Sequence, residues 1–542
     1  MVRILGLGGS GHSYSACLLN QDKIEVAIEE ERINKTKNSL FPVSSNPNLK
    51  LARCSAAEYC LKNGGISKGE LDVVIANNLL NPIYYARYSD KITFINHLLS
   101  HASASYFTSP YSEAAILVAD SCGSKISDNP DSSETTGLFF GSGNNLKELC
   151  IFSGEMTIPN YPTNSIVEFY SCVTHGIGYD FLEDIKTMEL SFYGTDTFLK
   201  EFEQFYTLDQ QGCFNRSKKQ SQQMENFIKN KIQMAKTPHE NERVKADIAY
   251  AAQHHFEKIM VSLCMYLFQR TRSVNLCIGG YAAFNSALNK KILEETPFEK
   301  IYTFSSYGDA DTSIGSALYA YHVITNNPYY PSKTPFNPYL GKSYSNNEIM
   351  HGINQYKENV SFRKVSDITK VVASELSEGK IVGWFQGGSE FGPRGLGNRT
   401  ILANPNHDRS VEFINEQGKS MDSVGLLVSE EFHHEVFNDA PVSYYKDHIT
   451  PLDKTIKYRT SSLQKFKGYY PYHTINKDLN PQLHHLIYSF RERTAIPLLL
   501  STSFKLPSTT TVDNPDDAIK AFLEMKVDCL AIGDYFITRK CS

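Results

Sequence analysis

Short apolar strands that end in turns carrying Asp or Gly most constrain the fold of this chain. AAILVA is followed by Asp120, NLCIG leads into the glycine pair Gly279 and Gly280, and KIYTF precedes a turn with Asp309 and Asp311. Helix-forming stretches follow the second and third turns. The pattern predicts alternating strands and helices, with candidate site residues at the strand ends, where binding sites collect in α/β folds.

The N-terminal stretch GLGGSG matches the dinucleotide-binding pattern GxGxxG through Gly6, Gly8 and Gly11. That pattern requires a helix to begin at the last glycine. Here the next apolar run, SACLL, has the length of a strand and soon meets a polar NQD turn. We therefore predict three successive strands joined by turns. Glycines in such a turn let backbone amides approach a phosphate or a neighbouring strand.

His97 and His101 lie four residues apart in HLLSH, between the apolar run ITFI and a stretch of small residues. On a helix these positions share a face, so both imidazoles could bind one ion; otherwise they are surface or core residues. Asp120 and Asp309 are helix N-caps unless they converge with the histidines, and for Asp311 the N-cap is the better interpretation. Two imidazoles and two carboxylates would suit iron, manganese or zinc.

The composition limits the classes of partner. The chain has 542 residues, 41% of them hydrophobic, which predicts at least two hydrophobic cores. A formal net charge of -5 with dispersed Lys and Arg gives no basis for binding nucleic acid or a membrane surface, so small-molecule chemistry is favoured. The N-terminus lacks a secretory signal and apolar runs are short, which predicts a cytoplasmic protein. Its 11 cysteines include no CxxC pair and are expected to be reduced.

A segment rich in Pro, Tyr, Asn and Ser, residues 326–347, is predicted to be a linker or wrapping segment. The unit that follows contains the glycine-dense loop QGGSEFGPRGLGNR, which carries Glu390, Arg394, Asn398 and Arg399. Arginines between glycines favour contact of guanidinium groups and backbone with a phosphate or carboxylate. The alternative is a structural loop with surface arginines.

The stretches HLLSHASASYF, VADSCG, GDAD and above all GWFQGGSEFGPRGLGNRTILANP resemble the O-carbamoyltransferase family of antibiotic-tailoring and nodulation enzymes. The resemblance covers nearly the whole chain. It implies an α/β fold, with an N-terminal actin-like ATPase (Kae1-like) domain of two duplicated subdomains over residues 1–345 and a C-terminal α+β YrdC-like domain over 346–542. It also implies that carbamoyl phosphate and ATP form a carbamoyl adenylate, which carbamoylates a hydroxyl of a small natural-product-like acceptor.

The resemblance also implies roles for particular residues. The metal would be Fe(II) or another divalent transition metal, ATP would be used with Mg, and a homodimer is left open. His12, at the first glycine-rich turn, is the candidate base, and Lys186 is a second catalytic candidate. The implied metal ligands are His97, His101, Asp120 and Asp309, and the implied nucleotide- and donor-binding residues are Gly279, Gly280, Asn285, Glu390, Arg394, Asn398, Arg399 and Lys419.

Several positions depart from the family pattern. Tyr281 takes the place of a glycine after the Gly-Gly turn, Ile185 and Glu189 replace glycines near Lys186, and two arginines are replaced by Met421 and Gly425. These changes fall in the nucleotide and donor elements, whereas the implied metal ligands are intact. Two alternatives therefore stay open: a related group-transferase with another donor or no ATP requirement, and a non-catalytic nucleotide- or metal-binding relative.

Overall fold

The computed structural model describes residues 2–39, 54–156, 162–306, 308–417, 424–460, 463, 468–506 and 509–540. The chain forms two compact units, each built from several segments. The first unit comprises Met1–Gly11, Leu19–Lys23 and Leu71–Phe336, and the second comprises His12–Leu18, Ile24–Glu70 and Asn337–Ser542. The functional boundary between residues 345 and 346 stays a prediction.

The first unit contains three parallel strands from the beginning of the chain, Arg3–Gly8, Val73–Asn77 and Ile92–Ile95. Val73–Asn77 lies in the middle and pairs with both of the others. The apolar runs in the first two strands are almost completely buried, which fits parallel strands covered on both faces. The helix His97–Phe107 follows directly, and Asn96 caps it by accepting a 3.0 Å hydrogen bond from the Leu99 amide.

A second set of three strands repeats this arrangement within the same unit. Glu113–Ala119, Asn275–Gly279 and Lys300–Thr303 are parallel, and Asn275–Gly279 lies in the middle. The helix Thr312–Tyr319 follows the third strand, as His97–Phe107 follows the third strand of the first set. The antiparallel strands Asn129–Ser142 and Asn145–Glu155 extend this sheet. The repeated order confirms the predicted α/β class and the duplication.

Helices inserted before Asn275–Gly279 form a layer with an aromatic core that includes Phe169, Phe202 and Phe256. The 34-residue helix Pro238–Thr271 begins with Pro in its first turn and Thr237 as N-cap, both favourable at that end. The remaining α-helices of the first unit are Pro82–Tyr85, Ile166–Gly176, Asp184–Ser191, Leu199–Phe202, Lys218–Met234 and Ser286–Glu295. Three short strands also occur: Lys125–Ile126, Thr207–Leu208 and Phe214–Asn215.

The second unit is built on a mixed sheet of parallel and antiparallel strands. From edge to edge the strands are Val360–Lys364, Tyr535–Arg539, Cys529–Ile532, Val382–Phe385, Arg399–Ala403, Leu498–Ser503, Val424–Ser429, Tyr469–Ile475 and Ile449–Pro451. Its α-helices are Glu30–Asn34, Ser55–Asn63, Asn346–Gln355, Ile368–Ser377, Asp408–Gln417, His433–Phe437, Lys454–Arg459, Pro481–Thr494 and Pro515–Glu524. The central strands are buried along their whole length, so they form the core of this unit.

Two predictions about the order of elements are confirmed. Arg3–Gly8, Ser15–Asn20 and Lys23–Glu29 follow one another as strands, and the described residues 9–14 contain no helix. The GxGxxG match is therefore not a dinucleotide-binding turn. Residues 326–345, all described, form neither helix nor strand, as predicted for a linker, whereas the last two residues of the predicted segment, 346 and 347, begin the helix Asn346–Gln355. Within the described ranges, no helix has the length and apolar character required to cross a membrane.

Candidate functional site

His97 and His101 occupy the first and second turns of the helix His97–Phe107, and both are fully buried. Their ring centroids are 4.7 Å apart, and the Nε2 atoms approach to 3.2 Å. The i, i+4 spacing therefore turns both imidazoles toward one point, as the sequence predicted. They are neither surface residues nor ordinary core residues, because both Nε2 atoms face carboxylates.

The carboxylates belong to Asp120 and Asp309, which follow strands of the second set. Asp120 Oδ2 lies 2.9 Å from His97 Nε2 and 3.5 Å from His101 Nε2. Asp309 Oδ1 lies 3.6 Å and 3.9 Å from the same two nitrogens. One ligand atom from each of the four residues lies within 4.8 Å of all the others, and all four residues are buried. Ligands held about 2.1 Å from one metal ion would have similar mutual spacings, so the arrangement fits a transition metal.

The outer nitrogens of both imidazoles contact polar side chains. His97 Nδ1 is 3.2 Å from Asn77 Oδ1, and His101 Nδ1 is 2.6 Å from Asp311 Oδ1. The Ser10 hydroxyl donates a hydrogen bond to Asp309 Oδ2. Such contacts fix the tautomer and orientation of metal-binding histidines.

The structure corrects the interpretation of Asp311. Its side chain makes no N-cap hydrogen bond to the helix Thr312–Tyr319, and instead forms the ion pair with His101. Sequence reasoning also missed Asn77 and Ser10. The missed signal was available for Asn77, because it ends the apolar strand VVIAN, and Asp120 directly follows an apolar strand in the same way.

The electrostatics of this cluster favour a bound cation. Burial acts to lower the pKa of His101, but the carboxylates of Asp311 and Asp120 outweigh burial and raise that pKa well above its usual value. Burial acts to raise the pKa of Asp120, but hydrogen bonds from His101 and His97 lower it well below the usual range. Burial raises the pKa of Asp311 to about 6 against the opposing charge of His101. The carboxylates outnumber the imidazoles, so a cation would neutralise the excess negative charge.

Glycines bring the surrounding elements into contact with the histidine helix. A Cβ on Gly315 would lie 1.9 Å from the Ser100 carbonyl oxygen, and a Cβ on Gly279 would lie 3.1 Å from the His101 carbonyl oxygen. Gly280 has φ +74°, and its Cβ would lie 2.7 Å from the Ala119 carbonyl oxygen. These glycines are therefore required for backbone packing around the cluster. The predicted contact of Gly279 and Gly280 with nucleotide stays a prediction.

Tyr281 and Asn285 follow this turn and both point into the protein. The Tyr281 ring is 8% exposed and packs against Phe284, with ring centroids 5.0 Å apart. Asn285 is completely buried and caps the helix Ser286–Glu295 by accepting a 2.9 Å hydrogen bond from the Leu288 amide. Its amide also exchanges hydrogen bonds with Gln253. The Tyr281 side chain is thus part of the core.

The two candidate catalytic residues have local contacts. His12 is half-buried, and its Nδ1 lies 2.9 Å from the Ser13 hydroxyl. Lys186 forms a 2.6 Å ion pair with Glu183, and its ammonium group lies 5.5 Å from the centre of the Tyr179 ring. Both catalytic roles stay predictions.

The glycine-dense loop of the second unit is held from within. Glu390 is buried, and its Oε1 accepts hydrogen bonds from the amides of Leu396, Asn398 and Arg399 at 2.9, 2.7 and 3.0 Å. Arg399 is also buried, donates to the Gln386 carbonyl at 2.5 Å and lies over an aromatic ring. Glu390 and Arg399 therefore maintain the shape of the loop. The alternative of a structural loop with surface arginines is wrong in one respect, since both arginines are buried.

Basic side chains gather beside this loop. Arg394 is 5% exposed and donates a 3.1 Å hydrogen bond to the Tyr445 carbonyl. Lys446, which follows Tyr445 in the chain, is 1% exposed. Its Nζ lies 3.3 Å from the position that a Cβ on Gly425 would occupy. Burial, aided by the charge of Lys446, lowers the pKa of His473 to about 3. An arginine, a lysine and an imidazole of lowered pKa thus lie inside this unit.

Lys446 occupies space that a side chain at position 425 would otherwise use. Lys446 comes from the loop before the strand Ile449–Pro451, and its side chain fills the volume beside Gly425. Sequence reasoning missed Lys446, since nothing in its local spacing connects it with Gly425. Lys419, a predicted donor-binding residue, lies outside the described residues.

Comparison with known proteins identifies the class. The model of the carbamoyltransferase N-terminus matches residues 84–318, and the model of the carbamoyltransferase C-terminus matches residues 373–539. The chain therefore belongs to the carbamoyltransferase family and is a carbamoyltransferase, as the sequence motifs predicted.

Its curated relatives include nodulation proteins and a cephem O-carbamoyltransferase. Nodulation protein NolNO of Sinorhizobium fredii is 25% identical, covering 98% of this chain and 79% of the relative. Nodulation protein NolO of Bradyrhizobium diazoefficiens is 25% identical, covering 82% and 79%. The 3'-hydroxymethylcephem-O-carbamoyltransferase of Streptomyces clavuligerus is 22% identical and covers 49% of each chain.

Proposed function

We propose that this protein is an O-carbamoyltransferase that moves the carbamoyl group of carbamoyl phosphate, through an ATP-derived carbamoyl adenylate, to a hydroxyl of a small acceptor. The observation that carries the proposal is the buried cluster of His97, His101, Asp120 and Asp309 in a member of the carbamoyltransferase family. A relative named for carbamoylation of a hydroxymethylcephem supports a hydroxyl as acceptor.

The proposed reaction has two stages. In the first, carbamoyl phosphate, ATP and one water give carbamoyl adenylate, pyrophosphate and inorganic phosphate. In the second, the acceptor hydroxyl oxygen attacks the carbamoyl carbon, AMP leaves with the electrons of the broken bond, and a base takes the hydroxyl proton. His12 is the proposed base, and Lys186 is proposed to stabilise negative charge on the reacting groups.

Within this proposal the buried cluster holds a divalent transition metal, Fe(II) being the first candidate. When bound, the ion would offset negative charge on phosphate oxygens. Asn77 and Asp311 orient the two imidazoles, which is the role their contacts support. Mg would accompany ATP.

Donor binding is assigned to the second unit. Arg394 and Lys446 provide buried positive charge for the phosphate of carbamoyl phosphate, and their burial strengthens such contacts relative to water. Asn398 and Arg399 hold the loop that presents Arg394, and Lys419 is retained as a donor contact on the family match. Gly279, Gly280 and Asn285 are proposed to lie along the nucleotide.

One observation favours a second candidate, a transferase that does not use ATP. Asn285 donates and accepts hydrogen bonds within the core, and Tyr281 packs inward against Phe284. Nucleotide contacts at this turn would therefore be made by backbone alone. The two candidates differ in whether pyrophosphate is formed.

Isotope-labelled carbamoyl phosphate distinguishes these candidates. The full chain is incubated with [13C]carbamoyl phosphate, Fe(II) and a panel of alcohols, with and without ATP and Mg, and products are identified by mass spectrometry. The proposal predicts a labelled carbamate ester only with ATP, together with pyrophosphate. Ester formation without ATP supports the second candidate, and no ester with any alcohol, combined with no pyrophosphate, contradicts both.

A further inference from the structure

Two buried residues from the beginning of the chain contact the backbone of the glycine-dense loop. Arg32 Nη2 donates hydrogen bonds to the carbonyl oxygens of Gly392 and Glu390, at 2.6 and 3.3 Å. The Glu29 carboxyl group accepts a hydrogen bond from the Gly392 amide. All four residues belong to the second unit. The amide and the carbonyl of Gly392 are therefore both held by side chains that lie 363 and 360 residues earlier in the chain.

Gly392 is the point of the loop that most needs such contacts. Its φ of +117° lies in a region that other residues rarely adopt, and a glycine can leave that conformation for many others at little cost. Arg394, whose guanidinium is assigned to the donor phosphate, follows two residues later. On its other side, the Gly395 amide donates a 2.9 Å hydrogen bond to the Ser503 hydroxyl. Arg394 therefore lies between two anchored glycines.

The segment that carries Arg32 is itself fixed. Arg32 belongs to the helix Glu30–Asn34, which begins where the preceding strand ends. The Glu30 amide donates a 2.8 Å hydrogen bond to the Tyr14 carbonyl, and the Glu30 carboxylate accepts a 2.7 Å hydrogen bond from the Ala56 amide. A residue that sets the position of a loop must stand on such ordered structure. The helix thus provides a rigid base for the contact with the loop.

Stability alone does not account for this pair of residues. Arg32 is 1% exposed, and its Nε and Nη1 atoms have no hydrogen-bond partner among the described residues. Glu29 is 5% exposed, and its Oε2 lies 3.9 Å from Arg32 Nε, beyond hydrogen-bond distance. Burying a guanidinium and a carboxyl group in this way costs solvation, and well-packed apolar side chains would stabilise the unit at least as well. Apolar side chains, however, could not hold the Gly392 peptide groups.

We propose that Arg32 and Glu29 are positioning residues for the donor site: they fix the backbone at Gly392 and thereby hold Arg394 where it binds the phosphate of carbamoyl phosphate. The inference rests on the proposed function, in which Arg394 contacts the donor. A guanidinium binds phosphate strongly only when its hydrogen bonds are correctly directed, so the loop must be ordered before the donor arrives. Neither Arg32 nor Glu29 needs to touch the donor for this role.

Calorimetric titration of the full chain with carbamoyl phosphate tests the proposal, and urea unfolding of the same samples measures stability. Arg32→Met removes the donor to the Gly392 carbonyl. It should weaken carbamoyl phosphate binding roughly tenfold or more, because the dissociation constant rises as the fraction of protein with the loop in its binding conformation falls. Arg539→Met is the matched control. Arg539 also donates to backbone carbonyls of the second unit, but none of them is in the loop, so this variant should lose stability and keep the affinity.

Glu29 gives a second pair of variants, which decides the question even if Arg32→Met does not fold. Glu29→Met removes the acceptor of the Gly392 amide and should weaken binding in the same way, whereas Glu29→Gln keeps an oxygen acceptor and should bind as the wild type does. Wild-type affinity in Arg32→Met or Glu29→Met, equal weakening in both Glu29 variants, or equal weakening in Arg539→Met and Arg32→Met overturns the positioning role alone. A wild type that binds no carbamoyl phosphate contradicts the proposed donor site itself.

Discussion

Replacing Gly315 by alanine should separate the two helices that bring the metal ligands together. A Cβ at this position would lie 1.9 Å from the Ser100 carbonyl oxygen and 2.9 Å from the Ala104 amide nitrogen. Cβ atoms are essentially never found closer than 3.0 Å to such atoms, so the backbones must move apart by at least about 1 Å. Both obstacles are backbone, so no side-chain rotation can relieve them.

The displacement is large for a metal site. Ser100 immediately precedes His101, while Asp309 and Asp311 lie just before the helix that contains Gly315. Ligand distances in functional metal sites vary by only about 0.2 Å. We therefore expect Gly315→Ala to weaken Fe(II) or Zn(II) binding roughly tenfold or more, as loss of supporting contacts does. The free energy of unfolding should fall by about 1–3 kcal/mol, the usual cost of overpacking.

Competition with a chelating dye measures the metal affinity, and urea unfolding of the metal-free protein measures stability. Gly69→Ala is the control, because its Cβ would approach nothing closer than a side-chain oxygen at 3.8 Å. It should change the free energy of unfolding by less than about 0.5 kcal/mol. Metal affinity and stability equal to the wild type in Gly315→Ala would refute the argument that close helix contact positions the ligands.

Four further predictions test separate parts of the structure. Asp311→Asn should weaken metal binding roughly tenfold in the same dye competition, because it removes the charge that orients His101; an unchanged affinity would make Asp311 structural only. Arg394→Ala should weaken carbamoyl phosphate binding by about 1.5–3 kcal/mol by calorimetry, and equal affinity would contradict its donor role. Tyr281→Gly should lower the unfolding free energy by about 3 kcal/mol, since the ring packs on Phe284; wild-type stability would show that it is not core. Burial raises the pKa of Glu29 from 4.5 to about 7. Between these pH values the folded protein therefore binds more protons than the unfolded chain, so the free energy of unfolding of the wild type should fall by about 3 kcal/mol from pH 4.5 to pH 7. The free energy of unfolding of Glu29→Gln, measured with urea over the same pH range, should lack that decrease. Equal decreases in the wild type and in Glu29→Gln would contradict the prediction.

The sequence was most informative where chemistry follows local spacing. His97 and His101 are four residues apart on one helix, and Asp120 and Asp309 each follow an apolar strand, so their convergence could be anticipated. Parallel strands place their carboxyl ends at one edge of a sheet, which is why such a prediction holds. The strands at the beginning of the chain and the linker were predicted for similar local reasons.

Other features depend on contacts between distant parts of the chain. The residues next to Asp311 in the sequence favour a helix cap. In the folded protein, however, its carboxylate forms an ion pair with His101, which lies on the helix that follows the first set of strands. Lys446 fills space beside Gly425 that only the folded sheet brings near it. The assignment of residues 12–18 and 24–70 to the second unit is equally invisible in composition or periodicity.

The most direct test of the account is pyrophosphate release from ATP on addition of carbamoyl phosphate, with metal content measured on the same samples. The wild type is expected to contain or take up about one transition-metal ion and to release pyrophosphate only when both substrates are present. Replacing His97 and His101 by alanine should remove metal and activity together, whereas His255→Gln, a change at a buried histidine bonded to Tyr206, should retain both. Wild-type protein that takes up no transition metal, or a double variant that still releases pyrophosphate, would contradict the proposal that this cluster is the metal centre of a carbamoyltransferase.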